Sequence, residues 1–264
     1  MDANGDQFTP PATMPGCFIY NPGSKVSVDV DLDGSGQLRN VTLPGTAFGE
    51  KAKRTYEAVT LSAEKATDSW YVNASYTWSK NRGNTEGLVK SDNGQKDTGT
   101  TSAFDYPDLM VGATGYLPND RRHSFKVYGG YRITPEWQVG VNGLLESGRP
   151  TSCFGGGDET VGGIPSYNSE FFYCDGQIKS RGTAKRLPWQ WSISPNVVYT
   201  PAYAKGLTVQ LDVLNLFNND TKTAVDEVGE NGADATYYGS TYRVPTYYQT
   251  PRSLRLLVQY DFSL

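Results

Sequence analysis

The chain has 264 residues, 12% aromatic and 20% charged, with 29 glycines, 15 prolines and a net charge of −4. That length holds one large domain or two ordinary ones, and the wealth of Tyr, Gly, Thr, Ser and Val points to an all-β protein, neither helical nor disordered. The acidic balance argues against a nucleic-acid partner, and with His123 as the single histidine a His-based metal site or a Ser/His/Asp triad has too few parts, so no catalytic, metal or cofactor residues and no enzyme activity are expected.

The start, Met1-Asp2-Ala3-Asn4-Gly5-Asp6, lacks the basic region and apolar run of a secretory leader. Taken alone this suggests a cytosolic protein. The other reading is the back portion of a longer exported chain, with Met1 an internal start. Residues 1–53 read as an incomplete loop and extended-hairpin region, with arms at Lys25–Leu32 and Leu38–Leu43. Between them, Asp29-Val30-Asp31-Leu32-Asp33-Gly34 opens like a calcium loop, but the twelfth position is Asn40 where the bidentate Glu is needed, which favours a plain turn.

From residue 54 onward, period-2 alternation dominates. Seven strands are expected near 54–66, 70–82, 122–133, 137–149, 189–200, 206–218 and 252–263. In the second, Trp70, Val72, Ala74, Tyr76 and Trp78 share one face; in the last, Leu254, Leu256, Val258, Tyr260 and Phe262 do. Each strand is about 12 or 13 residues long, roughly 40 Å at 3.3 Å per residue. Tilted near 45°, such a strand crosses a bilayer core. No run of about 18 apolar residues exists to form a membrane helix.

The connections separate into two kinds. Short ones lie at 67–69, 134–136 and 201–205, and long ones rich in Gly, Asn, Asp and Ser at about 83–121, 150–188 and 219–251. Short and long alternate, so an up-and-down sheet has all its short turns at one end. That asymmetry marks outer-membrane barrels. Trp70, Tyr131, Trp137 and Tyr199 fall near the short turns, and Trp78, Phe125, Trp189, Trp191 and Phe217 at the opposite strand ends, as two interfacial girdles require. The expected fold is therefore an antiparallel transmembrane β-barrel of the outer-membrane type, present in part as about seven strands of a larger barrel. An odd strand number with open edges suggests that strands are missing on the N-terminal side.

Several loop residues are candidates for binding. Arg121, Arg122 and His123 form either an anion site or a basic cluster where a loop re-enters a strand, facing nearby acids or lipopolysaccharide phosphates. Tyr237, Tyr238 and Tyr242, with Tyr247, Tyr248, Asp226, Glu227 and Glu230, crowd the last long loop; their rings could stack on a substrate, or the loop could be merely solvated. Inward-facing Arg132, Glu146, Asp212 and Arg255 read as a wall network or contacts to a plug. Cys153 and Cys174 share one irregular segment, where a disulfide closes a loop of about 20 residues and adds roughly 3 kcal/mol in an oxidising compartment. Unpaired thiols are the alternative.

Leu211–Asn218 (LDVLNLFN) with the run Leu254–Phe262 resembles the end of a TonB-dependent receptor barrel. Trp70–Lys80 (WYVNASYTWSK), Gly83–Gly87, Leu117–His123, Phe125–Tyr131 and Ser147–Pro150 narrow the resemblance to the Oar-like subgroup. It covers about residues 54–264, which become C-terminal strands of a 22-stranded plugged barrel in the outer membrane of a Gram-negative bacterium. The resemblance implies energised import of an iron chelate, cobalamin or oligosaccharide. Energy would come from the TonB complex through an upstream plug that this chain does not contain. The other implied partners are outer-membrane lipid, lipopolysaccharide and the barrel assembly machinery. The assembly signal falls on Tyr260, Phe262 and Leu264; such barrels usually end on an aromatic residue, so Leu264 weakens it. Two other classes compete: a passive porin or adhesive outer-membrane protein, and a secreted soluble domain that binds carbohydrate.

Overall fold

The computed structural model describes residues 23–31, 34–45, 50–156, 170–229 and 241–262. Among the described residues, strands β1 (Val26–Val30) and β2 (Arg39–Leu43) pair only with each other, in register from Val26↔Leu43 to Val30↔Arg39. The main sheet begins with β3 (Arg54–Ala66) and β4 (Trp70–Gly83). It continues through the short β5 (Gly115–Tyr116), then β6 (His123–Arg132) and β7 (Trp137–Glu146). Four two-residue strands follow in the next long loop: β8 (Pro150–Thr151), β9 (Tyr173–Cys174), β10 (Gln177–Ile178) and β11 (Lys185–Arg186). Then come β12 (Gln190–Tyr199), β13 (Leu207–Leu214), β14 (Lys222–Val225), β15 (Pro245–Tyr248) and β16 (Ser253–Tyr260). No helix among the described residues is long and apolar enough to cross a membrane.

The seven long strands lie in the order β3-β4-β6-β7-β12-β13-β16, each antiparallel to the next, with β5 beside the end of β4; among the described residues β3 and β16 form the two edges. This is an all-β, partial, antiparallel sheet, as the alternation predicts. Its register carries the main information. One rung across the sheet reads Leu61, Tyr76, Phe125, Leu145, Trp191, and another Ala63, Ala74, Val127, Gly143, Ile193. Nearer the short turns, Tyr131, Val139, Val197, Leu211 and Leu256 align. The alternate rungs read Thr60, Thr77, Ser124, Glu146, Gln190 and Glu64, Asn73, Tyr128, Asn142, Ser194. Because residues directly opposite share a face, seven separate alternations fuse into one apolar and one largely polar surface.

Burial is inverted relative to a soluble protein. On the apolar face, Leu61 is 65% exposed, Val258 60% and Leu256 66%, while the buried apolar residues Leu109, Leu117, Phe154, Phe171, Phe172 and Leu187 all sit in the long loops. A broad exposed apolar face of this kind marks an interaction surface.

The short turns are closed by local chemistry. Thr67 Oγ1 accepts from Trp70 N–H at 3.1 Å, and Thr134 Oγ1 accepts from the N–H groups of Glu136 and Trp137 at 3.2 and 3.1 Å. The Glu136 carboxylate accepts from Ala202 N–H at 2.6 Å and so ties two turns together. Gly206 has φ +88°, and a Cβ there would lie 2.4 Å from the Asp261 carbonyl oxygen; only glycine fits.

Strand ends differ from the expectation in one instructive place. The sixth strand, expected to run to residue 218, stops at Leu214, because Asn215 and Asn218 adopt φ of +50° and +51°. Asparagine tolerates this left-handed conformation, and Asn215 Nδ2 donates to the carbonyls of Asn219 and Thr250, each at 2.9 Å. The turn then covers the edge of β12: Leu216 N–H donates to the Ile193 carbonyl at 2.8 Å, and Asn219 Nδ2 to that of Trp191 at 3.1 Å. The second half of LDVLNLFN is thus an edge cap. The last strand likewise ends at Tyr260 rather than near 263.

Candidate functional site

The three long connections pack together at one end of the sheet as a cap with its own core. Phe154 and Phe172 meet with ring centroids 4.9 Å apart, beside buried Ala113. Cys153 and Cys174 are joined in a disulfide with Cα atoms 5.9 Å apart. Gly229 of the third loop lies against this bridge; a Cβ there would stand 2.4 Å from Cys153 Sγ. Phe154 N–H donates to the Glu227 carbonyl (2.9 Å) and Gly229 N–H to that of Phe154 (2.8 Å), stitching the second and third loops together.

Charged residues, which in such loops normally point to water, are turned inward here. Arg181 is 1% exposed. Its Nε donates to Asp92 Oδ2 at 2.8 Å, its Nη2 to Asp92 Oδ1 at 3.0 Å and to Glu86 Oε1 at 2.6 Å, and its Nη1 to the Asn84 carbonyl at 3.3 Å. One guanidinium fork thus holds two carboxylates and a carbonyl. Burial, reinforced by neighbouring Asp92, raises the Glu86 carboxyl above its ordinary range, while Arg181 and Ser91 oppose the rise.

Lys90 is 2% exposed. Its ammonium donates to the Glu170 carbonyl at 2.7 Å and lies 5.1 and 5.3 Å from the Phe154 and Phe172 rings. Burial pulls it down to about 8. Glu227 pairs with Arg149 at 2.6 Å and accepts from Ser152 N–H. Burial pushes its carboxyl up to about 8, against the opposing pull of Arg149.

Between the loops runs a groove of about 750 Å³, lined by Asp92, Lys96, Arg121, Arg149, Glu227 and Tyr247 among others. Lys96 Nζ lies 4.0 Å from the Tyr247 ring at this groove. Both signs of charge and an aromatic face suit a polar ligand with its own charges, held by hydrogen bonds and stacking.

The structure treats the sequence candidates unequally. Tyr237, Tyr238, Glu230, Leu264 and Cys17 lie outside the described residues, as does Asp33. Tyr242 stands 5.9 Å from the Arg243 guanidinium, and Tyr247 lines the groove. Tyr260 and Phe262 pack edge to face, centroids 4.7 Å apart, at the β16 edge. Asp31 accepts from the N–H groups of Ser35 and Gly36 at 3.2 and 2.7 Å, and so works as a turn acceptor. Of the basic run, Arg122 meets Asp120 at 3.5 Å and His123 Nδ1 bonds the Tyr76 hydroxyl at 2.9 Å. On the polar face Arg255 Nε donates to Asp212 Oδ2 at 2.7 Å, and Ser124 Oγ to Glu146 at 2.9 Å. Sequence reasoning missed Glu86, Lys90, Asp92, Arg149 and Arg181, since nothing in Gly- and Asn-rich loops marks which charges turn inward.

Over 83% of its length the chain is 29% identical to the TonB-dependent transporter Oar of Myxococcus xanthus. This chain resembles a TonB-dependent transporter of the Oar type. It spans about a quarter (24%) of that relative. No protein-family model matches it. Among solved structures, it is similar to the outer membrane transporter YddB from Escherichia coli, with TM-score 0.49 and 12% identity over 90% of this chain and 28% of the other. It is also similar to the siderophore receptor PiuA from Acinetobacter baumannii, with TM-score 0.43 and 14% identity over 90% of this chain and 24% of the other.

Proposed function

We propose that the chain is the C-terminal strand portion of a TonB-dependent receptor barrel in the outer membrane of a Gram-negative bacterium. In this reading it serves the energised import of a scarce nutrient: an iron chelate, cobalamin or an oligosaccharide. One observation carries the proposal: seven consecutive strands turn their apolar residues to one side, in register, and leave them uncovered. Lipid is the environment that makes such a face favourable, and a sheet in lipid must close, because its free N–H and C=O groups find no water there. The edges of β3 and β16 would then pair with further strands of the barrel, placed by the barrel assembly machinery acting on Tyr260, Phe262 and Leu264.

The polar face would line the interior around a plug that engages the TonB complex. The loop cap would stand outside, where the medium keeps Cys153 and Cys174 oxidised. Its groove, with Tyr237, Tyr238 and Tyr242 as further contacts, would receive the nutrient. Strains lacking the gene should lose uptake of one labelled nutrient among ferric siderophore, cobalamin and oligosaccharide, and in the parent strain a protonophore should abolish that uptake. Uptake that survives the protonophore would indicate a passive pore and overturn the reading.

A further inference from the structure

Pairing sorts the charges that line the groove into two groups. Asp92 is held by the Arg181 fork at 2.8 and 3.0 Å, and Glu227 by Arg149 at 2.6 Å. Arg121, Lys96 and Asp226 line the same groove, and none of them makes an ion pair with a described residue within 4.0 Å. Asp226 Oδ1 accepts from Val228 N–H at 3.0 Å. Lys96 lies against the Tyr247 ring, and Tyr247 stays 56% exposed. Two cations and one acid are left over, which calls for an anionic group in whatever fills the groove.

Arg121 carries most of that demand. Its neighbours in the basic run are already engaged, Arg122 with Asp120 and His123 with Tyr76. Its main chain is pinned where Ser79 Oγ donates to the Arg121 carbonyl at 2.6 Å. The side chain is partly buried, and its Nη1 is shut off from solvent with no hydrogen-bond partner among the described residues. Burial lowers its pKa, helped by Arg149 and Arg186 and opposed by Glu146 and Asp120. A desolvated cation costs free energy until an anion meets it, and a carboxylate fits the guanidinium fork through two parallel hydrogen bonds.

The rest of the lining narrows the class of that anion. Asp226, with no cation of its own among the described residues, repels a ligand charged negatively all over, such as a polyanionic ferric chelate. It suits one rich in hydroxyl donors, because a carboxylate only accepts. Asn93, Asn119 and Thr246 add neutral donors and acceptors, and Tyr247 adds a flat apolar surface for the CH face of a pyranose ring. A groove of about 750 Å³ lies in the size range of sites for drug-sized ligands, which fits a short oligosaccharide better than a bulky corrinoid.

We propose that the groove takes a short acidic oligosaccharide whose uronate carboxylate docks on Arg121 and Lys96, whose hydroxyls donate to Asp226 and whose ring lies against Tyr247. This rests on the import reading above and selects one of its substrate classes, adding a requirement for a carboxylate that a neutral glycan does not meet.

Isothermal titration calorimetry on the full-length protein carrying this chain, in mild detergent, tests the assignment. The probes are tetrasaccharides of galacturonate, glucuronate, mannuronate and guluronate, each alongside its neutral methyl ester. At least one acid should bind about tenfold to a hundredfold more tightly than its ester, the range that a hydrogen bond to a charged group contributes. Arg121→Gln should abolish that ratio and leave affinity for the ester unchanged, and Arg121→Lys should restore part of it. A merely structural Arg121 would weaken both ligands alike. Tyr247→Ala should weaken both, and undiminished binding there overturns the ring contact. No binding by any of the acids, equal affinity for acid and ester, or an unchanged ratio in R121Q overturns the proposal. Protonophore-sensitive uptake of a ferric siderophore or cobalamin through a protein that binds no uronate sinks this proposal alone, whereas uptake that survives the protonophore sinks the import reading.

Discussion

Replacing Arg181 by methionine keeps the apolar stem and removes the charge that organises the loop cap. Asp92 loses contacts at 2.8 and 3.0 Å and Glu86 one at 2.6 Å, with Asp92 left as buried as before. Breaking a buried ion pair from one side typically costs about 3–5 kcal/mol, because the orphaned charge stays desolvated. Burial already raises the Glu86 carboxyl above its ordinary range, which lessens the cost of losing its partner, and Ser152 Oγ still reaches Asp92 at 3.3 Å. Both relieve part of the loss, so the lower end, about 3 kcal/mol, is expected. In isolated outer membranes this means roughly a hundredfold larger open population of the cap, read as faster proteolysis of loops 84–122 and 147–189. Arg181→Lys should fall between, since an ammonium cannot supply the fork. The triple variant Arg181→Met/Asp92→Asn/Glu86→Gln should recover most of the protection. A change below about threefold in R181M, or no recovery in the triple variant, would refute the reasoning.

Protection of the cap should also depend on pH. Folding raises Glu227 to about 8 from 4.5, so the closed cap binds that proton more tightly than the open one. The stability it confers is complete below about 4.5 and is lost as pH rises towards about 8. Lys90, lowered to about 8 from 10.5, acts in the opposite sense, its share returning as pH rises from about 8 to 10.5. Glu227→Gln should flatten the lower limb of the proteolysis profile and leave the upper one. Reduction of Cys153–Cys174, which closes a 21-residue separation, should cost about 3 kcal/mol of cap stability, measured as the shift in protease sensitivity with and without dithiothreitol. Asn215→Ala should destabilise the β13–β14 connection by about 2 kcal/mol, through lost hydrogen bonds and a left-handed backbone that alanine resists; Asn215→Gly should recover the backbone part, and thermal unfolding in detergent compares the two.

The long strands were legible because each of their residues has two fates, and alternation records which. Trp70–Trp78 and Leu254–Phe262 announce their faces one by one, and strand pairing then aligns them. Asn215 was legible only in part: the alternation through Val213 continues into Phe217, while the competing left-handed preference of asparagine ends the strand. The cap was hardly legible. Arg181 lies 89 residues from Asp92 and 95 from Glu86, so their pairing depends on how three loops meet, which no local period encodes. In the sequence Glu227 reads as one acid of a solvated loop; its carboxylate turns inward because Arg149 and Ser152 receive it. The disulfide occupies a middle position, since spacing made Cys153 and Cys174 natural partners without deciding between a bond and two thiols.

Everything proposed for this chain requires the aligned apolar face to touch lipid. Spin labels placed singly at Val139, Val209 and Val258 on that face, and at Asn142, Thr208 and Gln259 on the other, test it in the assembled full-length protein. The first three should collide readily with oxygen and little with a water-soluble nickel chelate, and the second three should show the reverse. Nickel-accessible labels at Val139, Val209 and Val258 would contradict the account.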